Sequence, residues 1–184
     1  MDKQDKLINS IEHKSDRSRV WLDKGYPVTI RTYRQKDILH IIKRHMDLYE
    51  KENGFNSKFG DYVKENVLKF DRDHDKNKEN IWVAEIDGVI VGCIAIVKVN
   101  DSTAQLRWFL IEPQWRGMGL GHKLIQTAIS FCKNKNYTHV FLWTVNILKT
   151  ARHLYESYGF SLTETIKSNE WGKELFEERW DLYF

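Results

Sequence analysis

Two β-rich runs, Ile81 to Ile86 and Val89 to Val97, are separated only by Asp87-Gly88. Asp-Gly between such runs predicts a two-residue hairpin, because both turn positions need φ above zero and these residues accept it. An antiparallel pair is therefore the first fixed point of the fold. A third strand, Thr103 to Glu112, ends at Pro113 and runs into Trp115 to Leu124, WRGMGLGHKL. After it Leu120, Leu124, Ile125, Ala128, Ile129 and Cys132 recur at helical spacing, and Thr138 to Thr144 reads as a strand. Strand, helix and strand in that order predict one crossover inside a largely antiparallel sheet.

The flanking segments fit one α/β domain over residues 27–184. Val28 to Tyr33 alternates as a strand. Ile38, Ile41, Ile42, His45 and Tyr49 mark a helix closed by Gly54, and Phe59, Tyr62, Val63, Val67 and Phe70 mark a second. DRDHDKNKEN reads as a loop. Ile147, Leu148, Ala151, Leu154, Tyr155 and Tyr158 form another helix face, stopped by Gly159 just past its end. Phe160 to Ile166 and Phe176 to Phe184 read as a closing pair of strands. Residues 1–26 form a polar extension whose only helical hint is Leu7, Ile8 and Ile11.

Composition narrows the function classes. At 184 residues, with 41% hydrophobic and 13% aromatic content, the chain can bury a sizeable core. A net charge of +3 is spread along it, so a nucleic-acid partner is possible but not implied. The longest apolar run, Val89 to Val97, falls far short of the roughly 18 residues of a membrane span. MDKQDKLINS has no apolar signal core. Cys93 and Cys132 lie in apolar patterns and read as buried thiols, so a cytoplasmic, reducing location is expected.

The alternate glycines at 117, 119 and 121 stand before a helix, whose first N–H groups have no intrahelical partner and carry partial positive charge. Glycines let an anion approach those groups, and Arg116 can add a charge-assisted contact, so the loop suits a diphosphate. A Walker loop fails, since Gly117 is four residues before Gly121 and His122 precedes Lys123. A dinucleotide GxGxxG counted from Gly117 ends on His122. Counted from Arg116, the residues Arg116, Gly119 and Gly121 fit R-x-x-G-x-G.

That pattern resembles the acyl-CoA loop of the GNAT superfamily of N-acetyltransferases. LRWFLIEPQWRGMGLG is similar to the family's central strand and pyrophosphate loop, and ARHLYESYGF to its later helix. LWTVNILKTARHLY and EERWDL are similar to the acetyltransferase half of MarR-type fusion proteins. The resemblance covers about residues 27–184. It implies a mixed, mostly antiparallel sheet with a V-shaped splay between two central parallel strands, flanked by helices, with acetyl-CoA in the V as cosubstrate.

Pantetheine would pair with the backbone of Phe109, Leu110 and Ile111, and the pyrophosphate with Arg116, Gly117, Met118, Gly119, Leu120, Gly121 and His122. A primary amine, of a small molecule, a protein lysine or an N-terminus, would attack the thioester directly. Tyr155 matches the tyrosine that often protonates the departing thiolate; a phenol of pKa about 10 can serve a thiol of pKa about 8.5.

Two positions depart from the family. Leu148 stands where many members have Asn, leaving Asn146 as the nearest amide for the cofactor, and Gln105 stands where many have a glutamate base. Those departures motivate the alternative of a non-catalytic acyl-CoA-binding domain. His45, Tyr49 and Glu52 share one helix face and are candidates for the acceptor side. One of Trp108 and Trp143 is expected to shape the acceptor pocket.

No metal is expected. Asp71, Asp73 and Asp75 occupy the first ligand places of a calcium loop, but Lys76 and Trp82 occupy the places of its glycine and its glutamate. No nucleic-acid or membrane partner is expected, and ERWDLYF offers a strand that could pair across a homodimer.

Overall fold

In the computed structural model, which describes residues 27–184, the Asp87-Gly88 turn has φ of 48° and 76° and joins β2 (Asn80–Ile86) to β3 (Val89–Lys98). Before them come β1 (Thr29–Thr32), a short 3-10 turn, α1 (Ile38–Asn53) and α2 (Ser57–Asp73). After them come β4 (Thr103–Ile111), α3 (Leu120–Asn134), β5 (His139–Val145), α4 (Lys149–Ser157), β6 (Ser161–Ser168) and β7 (Leu175–Tyr183). The seven strands form one sheet in the order β1-β2-β3-β4-β5-β7-β6. Only β4 and β5 run parallel, with α3 as their crossover. The polar extension, with Leu7, Ile8 and Ile11, lies outside the described residues.

Both faces of the sheet are covered. On one, Leu124, Ile125, Ala128 and Cys132 of α3 pack against Trp82, Ile94, Ile96, Leu106 and Leu142. On the other, Ile38, Ile41 and Ile42 of α1 with Val63, Val67 and Phe70 of α2 pack against Ile81, Val83, Cys93 and Ala95. Burial of such side chains is worth about 1.5–3 kcal/mol each relative to exposure, and it holds the two layers to the sheet. Cys93 and Cys132 are free and buried, and burial pushes the Cys132 thiol up to about 12.

The bulge in β4 is the detail that positions the cleft. Cys93 pairs with Leu110 but Ala95 with Arg107, so β4 carries one extra residue, and Trp108 has a φ of 47°. Ala104 and Leu106 face α3, whereas Trp108 and Leu110, of the same parity, face α1 and α2. Simple alternation would have left all four on one side.

Several element boundaries differ from the sequence reading. DRDHDKN is not all loop: α2 continues to Asp73, with His74 donating its backbone N–H to Phe70 O. Among the described residues no cluster of potential metal ligands occurs. Tyr62 is largely exposed rather than on the core face, because Gly60, Val63, Val67 and Phe70 make the stripe. Ile147 and Leu148 precede α4 instead of belonging to it. ERWDLYF offers no edge to a second copy, since β7 is paired on both sides and the edges are β1 and β6.

Candidate active site

β4 and β5 are bonded only between Thr103–Gln105 and His139–Phe141. Beyond Gln105 they diverge, so Leu106 to Ile111 have no strand partner on the β5 side while β3 satisfies their other edge. A strand edge left open inside a sheet needs another acceptor and donor set. Phe109, Leu110 and Ile111 line the resulting cavity, of about 730 Å³, which extends to Arg116, Gly117, Gly119, Gly121 and His122. The first residues of α4, Lys149, Thr150 and Ala151, form its far wall.

The floor is built from the glycine loop. Lys123 donates the first helical hydrogen bond, to Gly119 O at 3.2 Å, so the N–H groups from Gly117 to His122 have no protein acceptor among the described residues. Gly119 has a φ of 78°, which L side chains rarely adopt, and only open space lies where its Cβ would be. Gly121 is required for a different reason: a Cβ there would meet Leu154 Cδ2 at 2.8 Å. The loop thus combines free donors, room above them and a close helix–helix approach, which fits a diphosphate.

A second cavity, of about 380 Å³, opens on the other side of the cleft. Its walls are rich in aromatic side chains, among them Phe55, Phe59, Tyr62, Trp108, Trp143 and Trp171. Phe59 stacks on Tyr49 at 4.5 Å and meets Trp171 edge-on at 5.4 Å. Gln105, Arg107, Glu170 and Glu177 are among its polar members, with His45 and Thr144. Tyr49, Phe109, Leu148 and Tyr155 line both cavities, so the two spaces meet at these four side chains.

Tyr155 is buried in this junction, its ring 6.2 Å from Phe109 and 6.0 Å from Phe160. Burial pushes its phenol far above the ordinary 10, with Tyr49 nearby acting in the same direction, so it holds its proton firmly. Burial likewise raises Tyr49 to about 12.

The other expected residues divide. Met118 packs on the core and Leu120 is buried in it, so only their backbones face the loop. Arg116 donates to Ile111 O at 3.0 Å and to Glu52 at 2.9 Å. Glu52 therefore belongs to the rim of the larger cavity and not to the aromatic one, because Arg116 draws it there. Asn146 lines neither cavity; its side-chain oxygen accepts from Phe176 N, which ties the end of β5 to β7. His45 does line the aromatic cavity, but its Nδ1 is engaged with Ile41 O at 2.8 Å and burial lowers its pKa to about 4. It is a neutral imidazole.

Sequence reasoning missed Lys149, Thr150, Arg107, Glu177 and Trp171 as lining residues. Lys149 and Thr150 carried a usable signal, a strand-to-helix junction like that at Gly119. The others come from strands and loops remote in sequence.

A model of the acetyltransferase (GNAT) family matches residues 42–160. The chain belongs to that family. The chain is 31% identical over 116 residues to the probable N-acetyltransferase camello of Xenopus tropicalis, covering 61% of this chain and 52% of that protein. With the N-acetylaspartate synthetase of Danio rerio it shares 36% over 80 residues, 43% of this chain and 28% of that one. The chain spans about half the length of the first of these curated relatives and less of the second. Among solved structures, the Salmonella typhimurium protein yncA with its cofactor acetyl-CoA superposes with a TM-score of 0.70 at 18% identity, over 85% of this chain and 93% of that one. A GNAT acetyltransferase from Staphylococcus aureus Mu50 gives 0.71 at 16% identity, over 85% and 99%. At these identities the two structures bear on the fold alone, and this GNAT domain has their fold. Among the described residues no helix is long and apolar enough to cross a membrane.

Proposed function

We propose that this GNAT domain transfers an acetyl group from acetyl-CoA to a primary amine by direct attack on the thioester. The observation that carries the reading is the junction: a cavity suited to a nucleotide diphosphate and an aromatic cavity share four lining side chains, and a protonated tyrosine is one of them. Acetyl-CoA would supply an activated acyl group at that junction.

The N–H groups from Gly117 to His122 hold its diphosphate, and the open edge of Phe109 to Ile111 holds its pantetheine amides. Tyr155 donates its proton to the departing sulfur. Phe109 and Leu148 exclude water from the junction. Glu177, half-buried on β7, is the carboxylate we assign to take the amine's proton, since Gln105 lacks the basicity. The similarity to the acetyltransferase half of MarR-type fusions bears on this half alone. Two free, buried thiols support a cytoplasmic setting.

Isothermal titration with acetyl-CoA and CoA tests the cofactor slot, beside Gly121→Val. The added side chain would push Leu154 and α4 into the cavity, so affinity should fall at least tenfold. A folded wild-type protein that binds neither nucleotide would end the acetyltransferase reading. Binding of acetyl-CoA without thiol release in an amine screen would favour the non-catalytic alternative.

A further inference from the structure

Arg107 stands out among the part-buried arginines. Arg31 is paired with Asp37 and Glu85, Arg44 with Glu112, Arg152 with Glu178 and Arg179 with Asp181. Arg107 has no carboxylate partner among the described residues. Its guanidinium donates to two neutral oxygens, Tyr62 Oη at 2.7 Å and Asn66 Oδ1 at 3.3 Å, and lies 5.0 Å from the centre of the Trp108 ring. Desolvation of its charge is not offset by any nearby anion, and the side chain lines the aromatic cavity. A part-buried cation held by neutral groups retains unused donors, and an anion that enters the cavity would complete it.

We infer that Arg107 anchors a carboxylate of the acceptor, so that the acceptor is a small amino acid with an apolar side chain. This deepens the proposed acetyltransferase reading and rests on it. Arg107 lies two residues before Phe109, across the bulge at Trp108, and both line the same cavity of about 380 Å³. An amine presented at the junction and a carboxylate at Arg107 must therefore be only a few bonds apart, as in a free amino acid. An internal lysine of a protein has no such carboxylate, and a polyamine would meet a fixed cation.

Of the two carboxylates of the same cavity, Glu177 stands on β7, across β5 from β4, and Glu170 on the loop beside Trp171. The cavity thus has a cation on β4 and a carboxylate on β7 across the cleft, complementary to a zwitterion. Phe55, Phe59 and Trp171 supply an apolar surround for its side chain.

The test is direct binding to the CoA-saturated protein, by calorimetry, of L-phenylalanine, L-leucine and L-methionine, each beside its carboxamide. At least one acid should bind about 10- to 100-fold more tightly than its carboxamide, the range expected for a charge-assisted bidentate contact. Arg107→Gln should bring that ratio within threefold while leaving CoA affinity unchanged, and Arg107→Lys should keep part of it. The anchor is refuted if no acid binds, if the carboxamides bind as well as the acids, or if the ratio survives Arg107→Gln. The wild-type comparison needs no variant and decides the matter should Arg107→Gln fail to fold. Failure of the acid–amide comparison with intact CoA binding removes the anchor alone; failure of CoA binding removes the acetyltransferase reading.

Discussion

Replacing Tyr155 by Phe removes one hydroxyl from the junction and nothing else. The ring keeps its contacts with Phe109 and Phe160, so the fold and the acetyl-CoA slot should be unaffected. A positioned general acid contributes about 10² to 10⁴ in rate. Burial makes this phenol a weaker acid than usual, which widens its mismatch with a thiol and favours the lower end of that range. The expected loss is therefore about 100-fold in kcat, or about 2.7 kcal/mol of barrier.

The assay is thiol release at saturating acetyl-CoA and amine, with the acetyl-CoA Kd measured beside it and expected within threefold of wild type. Stability gives an independent check. The folded phenol titrates above its unfolded value of 10, so its contribution is complete below pH 10 and is lost as pH rises toward the folded value. Tyr155→Phe should then flatten the alkaline loss of stability by about 1.4 kcal/mol per pH unit above pH 10. A kcat within threefold of wild type, with Kd unchanged, would refute the acid role and leave Tyr155 as a packing residue.

Two further predictions concern stability. Asp181 is buried and accepts hydrogen bonds from Arg179, Thr163 and His139, which outweigh its desolvation and lower its pKa from 3.8 to about 2. The stabilisation is present above pH 3.8 and lost as pH falls through 2, so Asp181→Asn should cost about 2 kcal/mol at pH 7 and little at pH 2, as measured by urea unfolding. Arg44 binds Glu112 through two bonds of 2.6 and 2.7 Å, tying α1 to the end of β4, and Glu112 is only 6% exposed. Arg44→Met leaves that carboxylate buried and unpaired and should cost about 3–5 kcal/mol in a chemical melt, whereas Arg44→Met with Glu112→Leu should recover much of it.

The hairpin, the crossover and the glycine loop were legible in the sequence because each depends on local rules. Asp87-Gly88 dictates its turn from two residues, and the run from Gly117 to His122 dictates a helix N-terminus with open donors from six. Tyr155 became a candidate through resemblance, by its spacing to Gly159, and the structure places it among the side chains that line both cavities.

What the tertiary structure decided concerns residues whose partners are far away in sequence. The bulge at Trp108 reverses the faces of β4, and no alternation rule predicts a positive φ at a tryptophan. The place of Glu52 on the rim of the larger cavity depends on Arg116, which only the fold brings to it across 64 residues. Asn146 lies outside both cavities because its oxygen accepts from Phe176 N on β7.

The aromatic cavity joins α1, α2, β4, β5, β7 and the loop carrying Trp171. That its guanidinium has no carboxylate partner among the described residues follows only from long-range packing. Short-range chain geometry thus set the elements and the open donors of the glycine loop from sequence alone, while the charge balance and lining of the aromatic cavity are properties of long-range packing.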